Sequence, residues 1–336
     1  MRALAVLLAL APLACADGAN LPVAAGYGPD PALPAPERSL VPTIEVAKAR
    51  GRASDETPVP APGFEVAAFG PELEHPRWLY VLPNGDVLVA ETNGPPSEAH
   101  GFRAWLMQRM KKRAGGAAPS ANRITLLRDL DGARLYVAVG SSSNVAENGL
   151  PSEEGRAAIL EIDRASGRSR IYASGLRNPV GMSWQPESGA LWAAVNERDE
   201  IGGDLVPDYM TAVQDGGFYG WPFSYYGAHA DRRSLGLTFY RGDLLPSRYA
   251  GGAFVGQHGS WNRDPMSGYK VIFVPFRAGQ PSGLPEDILT GFLDGDGRAR
   301  GRPVGVAVDA GGALLVADDV GNAVWRVTPS GAVAGR

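Results

Sequence analysis

The chain has 336 residues, 32 Lys and Arg against 36 Asp and Glu for a formal net charge of −4, 44 glycines, 28 prolines and one cysteine. That length allows one large all-β domain or two ordinary ones. Charge so near balance excludes nucleic acid as a partner, because phosphates require a strongly basic face.

Residues 1–16 read as a signal peptide: one arginine, an apolar run too short to span a bilayer, then small residues at the exit. A periplasmic or secreted protein is expected. Ala14 and Ala16 suit cleavage after Ala16, while Cys15 after Leu13 and Ala14 offers a lipoprotein signal, weakened by Pro12. A lipid on Cys15 is the one membrane contact the sequence suggests. No cysteine follows it, so the mature chain forms no disulfide and rests on packing and any bound metal. Residues 17–62 carry prolines at 22, 29, 31, 34, 36, 42, 58, 60 and 62, which discourage both helix and ladder. An extended leader is expected there, lying on the domain or tethering it, with the folded domain at 63–336.

Three segments share one pattern: HPRWLYVLPNGDVLVAETNG from His75, NPVGMSWQPESGALWAAVNERD from Asn178 and RPVGVAVDAGGALLVADDVGN from Arg302. Each runs proline, alternating strand, glycine-bearing turn, strand and polar loop, so each predicts a β-hairpin. Third strands follow in NRITLLRDLDG, AAILEIDRASG, YKVIFVPFRAG and NAVWRVTPSG. Repeated around an axis, such sheets make a β-propeller. EAHGFRAWLMQRMKKRAGG from Glu98 departs from this, with Phe102, Trp105, Leu106 and Met110 at helical spacing. It is read as a connecting helix covering one end of the propeller, in preference to a membrane-surface helix.

The stretch RDLDGARLYVAVG, Arg128 to Gly140, breaks the rhythm. Its strand matches a second hairpin strand, yet no first strand or turn precedes it. A similar abruptness precedes Ser234, after YYGAHADRR. Two internal gaps, near Asp131 and near Arg233, are therefore expected.

The loops after the second strands begin at Glu91, Ser141, Asn196 and Asp318, and in a propeller equivalent loops share one face. In NERDEIGGDLVPDY, residues 196–209, Asp199, Glu200 and Asp204 offer oxygens to calcium, or form a solvated acidic loop. DLDG at 129 and DGDG at 294 are turns, because neither completes a calcium loop. Arg298, Arg300 and Arg302 alternate, so on a strand their forks share one face and suit a multiply charged carboxylate; a wet surface stripe is the alternative. His258 in GQHGSWN, residues 256–262, has a structural reading before a catalytic one. No zinc spacing, Ser-His-Asp signature or phosphate loop is present.

The motifs PRWLYVLPNGDVLVAETN, ANRITLLRD, VGSSSNVAENG, SGLRNPVGMSW, NERDEIGGDLVPDY, GGFYGWP, FVGQHGSWNRDPMSGYKV and RGRPVGVAVDAGGALLVADDVGNAVWRV, in this order, resemble the sorbosone dehydrogenase family. That family is related to the soluble quinoprotein aldose dehydrogenases, six-bladed propellers of four-stranded antiparallel blades using pyrroloquinoline quinone (PQQ) and calcium. The resemblance implies oxidation of a sugar or sugar-derived aldehyde, with electrons passed to an external acceptor, a quinone or a cytochrome. It assigns Arg177, Asn178, Arg300 and Arg302 to PQQ, and the backbone carbonyls of Asp199 and Glu200 to calcium; Arg298 lies outside the match. Where the aldose branch brings a lysine to the quinone, this chain offers Gln257 or His258. The family's catalytic histidine belongs to the strand missing near Asp131, so its base has no counterpart. The histidines here, at 75, 100, 229 and 258, lie in other motifs. A catalytically impaired or non-enzymatic propeller that binds a ligand or partner is the alternative, and a calcium-dependent lactone hydrolase ranks last.

Overall fold

The computed structural model describes residues 18–28, 34, 45–53, 55–70, 73–82, 84–91, 102–115, 123–125, 134–199, 202–205, 208–224, 234–261 and 263–331. The expected gaps near Asp131 and Arg233 lie outside these residues, as do the signal peptide, Cys15, Glu200, His100 and His229.

Alternating apolar residues form strands along nearly the whole chain. The first are Val59–Pro60 (β1), Phe64–Gly70 (β2), Pro76–Val81 (β3), Val87–Glu91 (β4), Arg123–Thr125 (β5) and Arg134–Val139 (β6), with helix Phe102–Arg113 (α1) between β4 and β5. Ala158–Asp163 (β7), Ser169–Ser174 (β8), Asn178–Trp184 (β9), Leu191–Asn196 (β10), Tyr209–Val213 (β11) and Gly217–Phe218 (β12) follow. Then come Ser234–Phe239 (β13), Ala253–Gln257 (β14), Lys270–Val274 (β15), Phe276–Arg277 (β16), Gln280–Pro281 (β17) and Glu286–Thr290 (β18). Pro303–Val308 (β19), Leu314–Asp318 (β20) and Ala323–Pro329 (β21) complete the set. The three predicted hairpins are β3–β4, β9–β10 and β19–β20. Gly85 supplies the positive φ, 90°, that the first hairpin turn needs.

Among the described residues the sheets have three to five strands: β3-β4-β5, β6-β7-β8-β12, β9-β10-β11, β13-β14-β15-β18-β1 and β19-β20-β21-β2, plus the hairpin β16–β17. They stand side by side as propeller blades do, joined along their inner strands in the order β6, β9, β13, β19, β3. Four apolar seams fill the spaces between them. Ile159, Leu191 and Tyr209 pack in the first, Trp192, Phe239 and Ile272 in the second. Phe254, Phe273 and Trp325 pack in the third, Leu79, Ala307 and Leu315 in the fourth. In the last sheet β2, early in the chain, pairs with β21, from Phe64 against Pro329 onward, so the two ends of the domain are tied together.

The inner strands approach so closely that three positions tolerate no side chain. A Cβ on Gly236 would lie 2.1 Å from the carbonyl oxygen of Val304, one on Gly181 2.7 Å from the amide of Leu237, and one on Gly305 2.7 Å from the carbonyl of Arg77. The Pro-Val-Gly motif of β9 and β19 is thus a packing signature. Trp78 takes the equivalent place in β3.

The leader is bound more tightly than its prolines suggest. Val59 and Pro60 extend a sheet by pairing with Thr290 and Leu289, an edge position where proline's missing donor costs nothing. Ala49 bridges to Ala299, and Ala19 donates to the Asp264 carbonyl at 2.6 Å. Arg298, expected on one face with Arg300 and Arg302, instead belongs to a turn, where it pairs with Asp296 at 2.7 Å in solvent.

Candidate functional site

The glycine contacts put the N-terminal ends of β3, β9, β13 and β19 at one end of the molecule. The chain enters these strands through His75, Arg177 and Arg302, and leaves the second strands through Glu91, Glu197, His258 and Asp318. Side chains from distant loops therefore converge there.

At the end of β20 two adjacent carboxylates do different work. Asp318 is fully buried; its Oδ1 accepts the amides of Arg302 at 2.7 Å and Gly321 at 2.8 Å, and its Oδ2 accepts Trp325 Nε1 at 3.0 Å. Burial pushes its pKa up. Asp319 is also buried, and its Oδ2 accepts Arg77 Nη1 at 2.7 Å and contacts His258 Nε2 at 2.8 Å, with His75 Nε2 at 3.6 Å. Burial opposes ionisation of Asp319, but His258, Arg77 and His75 outweigh it and hold the carboxyl far below the usual range. Burial lowers His258 to about 4 despite Asp319, with Arg302 and Arg77 acting the same way, and burial also lowers His75. At neutral pH the cluster is one carboxylate, one guanidinium and two neutral imidazoles.

A second group surrounds Arg177. Its Nη2 donates to Asn144 Oδ1 at 3.3 Å and lies 3.7 Å from Asp199 Oδ2, while its buried Nε has no hydrogen-bond partner. Asn144 also ties the loops together, accepting the Asp199 amide at 2.8 Å and, through its carbonyl, Trp221 Nε1 at 3.0 Å. Asn178 begins β9 opposite Asn196. Beside them Glu197 is buried, and its carboxyl is pushed up to about 7 chiefly by burial. Asp199 is half exposed on its side chain, and its carbonyl accepts Asn144 Nδ2 at 3.2 Å. Asp204 has a structural role in place of the metal role considered above. Its carboxylate accepts the amides of Asn20 and Leu21 at 2.9 and 2.8 Å and lies 3.4 Å from Arg263, so it fastens the leader.

Arg302 is 1% exposed; its Nη2 donates to the Ala47 carbonyl at 3.0 Å, and its guanidinium carbon lies 5.1 Å from the Tyr269 ring centre. Arg300 is one-third exposed, with a buried Nε lacking a hydrogen-bond partner. Among the described residues no three His, Cys, Asp or Glu side chains form a metal-sized group. A hard cation at this end would have to draw on backbone oxygens, among which is the Asp199 carbonyl that accepts Asn144 Nδ2. The incompletely satisfied guanidinium groups of Arg177 and Arg300 suit carboxylate oxygens, so the residues present fit a polycarboxylate such as PQQ.

The loops expected to share this face include Glu197 and Asp319, and the resemblance assigned Arg177, Asn178, Arg300 and Arg302 to it, but no site role was read for His75 or Arg77. His75 and Arg77 lie inside the strand motif HPRW, and Asp319 in the loop expected to face the mouth.

Sheets set as blades, with arginines and a His–Asp pair among the residues at one end, define an all-β propeller-type protein. The chain is related to the glucose and sorbosone dehydrogenases: the family model "Glucose / Sorbosone dehydrogenase" matches residues 123–238. A second family model, "TrAA12-like", matches residues 229–330. Among solved structures, the calcium structure of a Trichoderma reesei enzyme of Carbohydrate-Active Enzymes Family AA12 is 17% identical. It covers 86% of this chain and 99% of its own, with a TM-score of 0.59. The holo form of the pyranose dehydrogenase PQQ domain from Coprinopsis cinerea is 19% identical over 84% of this chain and 100% of its own, with a TM-score of 0.58. At these identities they establish the fold. An uncharacterized protein of Borreliella burgdorferi is 27% identical over 274 residues, 74% of this chain and 70% of its own. The aldose sugar dehydrogenase YliI of Escherichia coli is 39% identical over 66 residues, 20% of this chain and 16% of its own.

Proposed function

We propose that the protein is a periplasmic or secreted PQQ- and calcium-dependent dehydrogenase that oxidises a sugar or sugar-derived aldehyde and passes the electrons to an external quinone or cytochrome. The observation that carries this reading is the contact of His258 with Asp319, 2.8 Å, with Arg77 and Arg302 near enough to act on the imidazole. Family relation and site chemistry support it together.

Arg177, Asn178, Arg300 and Arg302 would hold the carboxylates of PQQ, and the carbonyls of Asp199 and Glu200 the calcium. When bound, PQQ supplies a two-electron oxidant that accepts hydride, and calcium polarises it as a Lewis acid. The chain's own contribution is the proton. With Nε2–H donating to Asp319, Nδ1 of His258 is the basic nitrogen, and burial keeps it neutral near pH 7. As the substrate's C–H bond breaks to give hydride and its C=O bond forms, His258 takes the hydroxyl proton and later returns it to solvent. Asp319 fixes the ring and stabilises the imidazolium, as an aspartate does in a catalytic triad. Arg77 keeps Asp319 ionised. His258 thus fills the role left open by the histidine missing near Asp131.

A second reading, a propeller of impaired activity that binds a ligand, draws on β6, which has no inner partner strand among the described residues. Reconstitution separates the two. The protein is mixed with PQQ, calcium and a panel of aldoses, and dye reduction is followed beside PQQ fluorescence. Turnover that falls about 10²–10⁴-fold in His258→Asn, with PQQ affinity retained, supports the enzyme. PQQ binding without turnover selects the second reading, and absence of binding rejects both cofactor roles.

A further inference from the structure

Arg302, one of the arginines assigned above to the carboxylate ligand, is held by the leader as well as by the propeller. Residues 45–53 cross the site end as an extended strap. Glu45 donates to the Trp261 carbonyl at 2.9 Å, Ala49 to that of Arg113 at 2.9 Å and Arg50 to that of Ala299 at 2.7 Å; Ala299 returns a bond to Lys48 at 2.8 Å. Main chain therefore binds main chain at Ala299, immediately before Arg300 and Arg302.

Two strap residues act on Arg302 itself. Ala47 accepts Arg302 Nη2 at 3.0 Å, and its own amide donates at 3.2 Å to the hydroxyl of Tyr269, the ring beneath the same guanidinium. Arg52, only 3% exposed in its side chain, is inserted between Phe292 and Trp325, with its guanidinium carbon 5.0 and 5.6 Å from the ring centres. Its Nε lies 3.6 Å from Asp318 Oδ2, and its Nη2 donates to the Gly291 carbonyl at 3.1 Å. Asp318 is the carboxylate that fixes the Arg302 amide. The leader thus sets the side chain of Arg302 through Ala47, and its backbone through the counter-charge that Arg52 gives Asp318.

We propose that residues 45–53 are a positioning strap for the anion site and that Arg52 is its positioning residue, acting through Asp318 on Arg302. The ligand class, a polycarboxylate, rests on the PQQ reading above. The chemistry favours this role because a buried carboxylate that loses its cation must take a proton or draw in another donor. Either change alters the acceptor that holds Arg302 and Gly321. A lysine at 52 can restore the charge but not the fork, so it recovers the effect in part.

The test compares the full chain with Arg52→Ala and Arg52→Lys by amide hydrogen exchange without ligand and by PQQ titration. In Arg52→Ala the amides of Arg302 and Gly321 lose about tenfold or more of their protection, while those of β10 and β14 keep theirs. PQQ dissociation rises about tenfold or more in the same variant, and Arg52→Lys recovers most of both effects. Unchanged protection at Arg302 and Gly321, or loss spread evenly over β10, β14 and β20, overturns the proposal, the latter because Arg52 then only holds the fold. If the parent chain binds no PQQ but Arg302 and Gly321 still depend on residue 52, the cofactor reading falls and the strap stands.

Discussion

His258 shares Asp319 with Arg77 and His75, and only Arg77 is charged at neutral pH. Because one guanidinium already balances the carboxylate, neither imidazole gains enough from protonation to offset its burial, and both are held neutral. This has a consequence for stability. An unfolded histidine binds its proton near pH 6.5, whereas His258 in the folded chain does so only near pH 4. Between those values the unfolded state holds more protons, so stability falls as pH drops from about 6.5 toward 4. His75 adds to the same slope, while Asp319, its folded pKa depressed, gives up its contribution only at more acid pH. Urea midpoints measured from pH 7.5 to 4 should therefore decline in the parent chain and decline less in His258→Gln. An equal slope in both would place the titration elsewhere.

At the scale of elements, β13 shows what the strand pattern conveys and what it hides. The alternation in Ser234–Phe239 predicts a strand, and period and turn chemistry likewise gave β3–β4, β9–β10 and β19–β20. The sequence does not show that Gly236 lies against the Val304 carbonyl, because that contact joins residues far apart in the chain. The same limit governs the site. Arg177 and Arg302 were legible as motif residues at strand entrances. The His258–Asp319 pair spans 61 positions, and only the ring of inner strands brings it together. Asp204 looked like a metal ligand because its loop is acidic, and the leader amides it accepts lie 183 and 184 residues away. Gly236→Ala tests the packing directly. A Cβ there meets backbone on the neighbouring inner strand, which cannot rotate aside, so a loss of about 3 kcal/mol is expected in denaturant unfolding. Gly331→Ala, with nothing within 4 Å of the added Cβ but a positive φ, serves as a strained yet unpacked comparison and should cost less, about 1 kcal/mol.

At the scale of the whole molecule, the five sheets among the described residues are joined by four packed seams, and the order of inner strands places β3 and β6 at its two ends. Their outward faces are apolar. On β3 and β4 these are Trp78 and Tyr80 opposite Ala90 and Leu88; on the other side Val137, Leu160 and Ile171 lie in one cross-strand row with Leu135 beside it. Leu135 is 44% exposed and Ile171 52%. Trp78 stands where Gly181 and Gly305 stand in β9 and β19, the positions at which those strands meet a neighbouring inner strand. Exposed apolar sheet faces beside an inner edge are a route to association between chains. The double substitution Leu135→Thr and Val137→Thr keeps strand propensity and removes apolar surface that packs against little. It should leave the unfolding free energy within about 0.5 kcal/mol, while lowering binding of a hydrophobic dye and any self-association seen by sedimentation. Marked destabilisation instead would mean that this face is covered in solution, and that the ring is closed by contacts made through Leu135 and Val137.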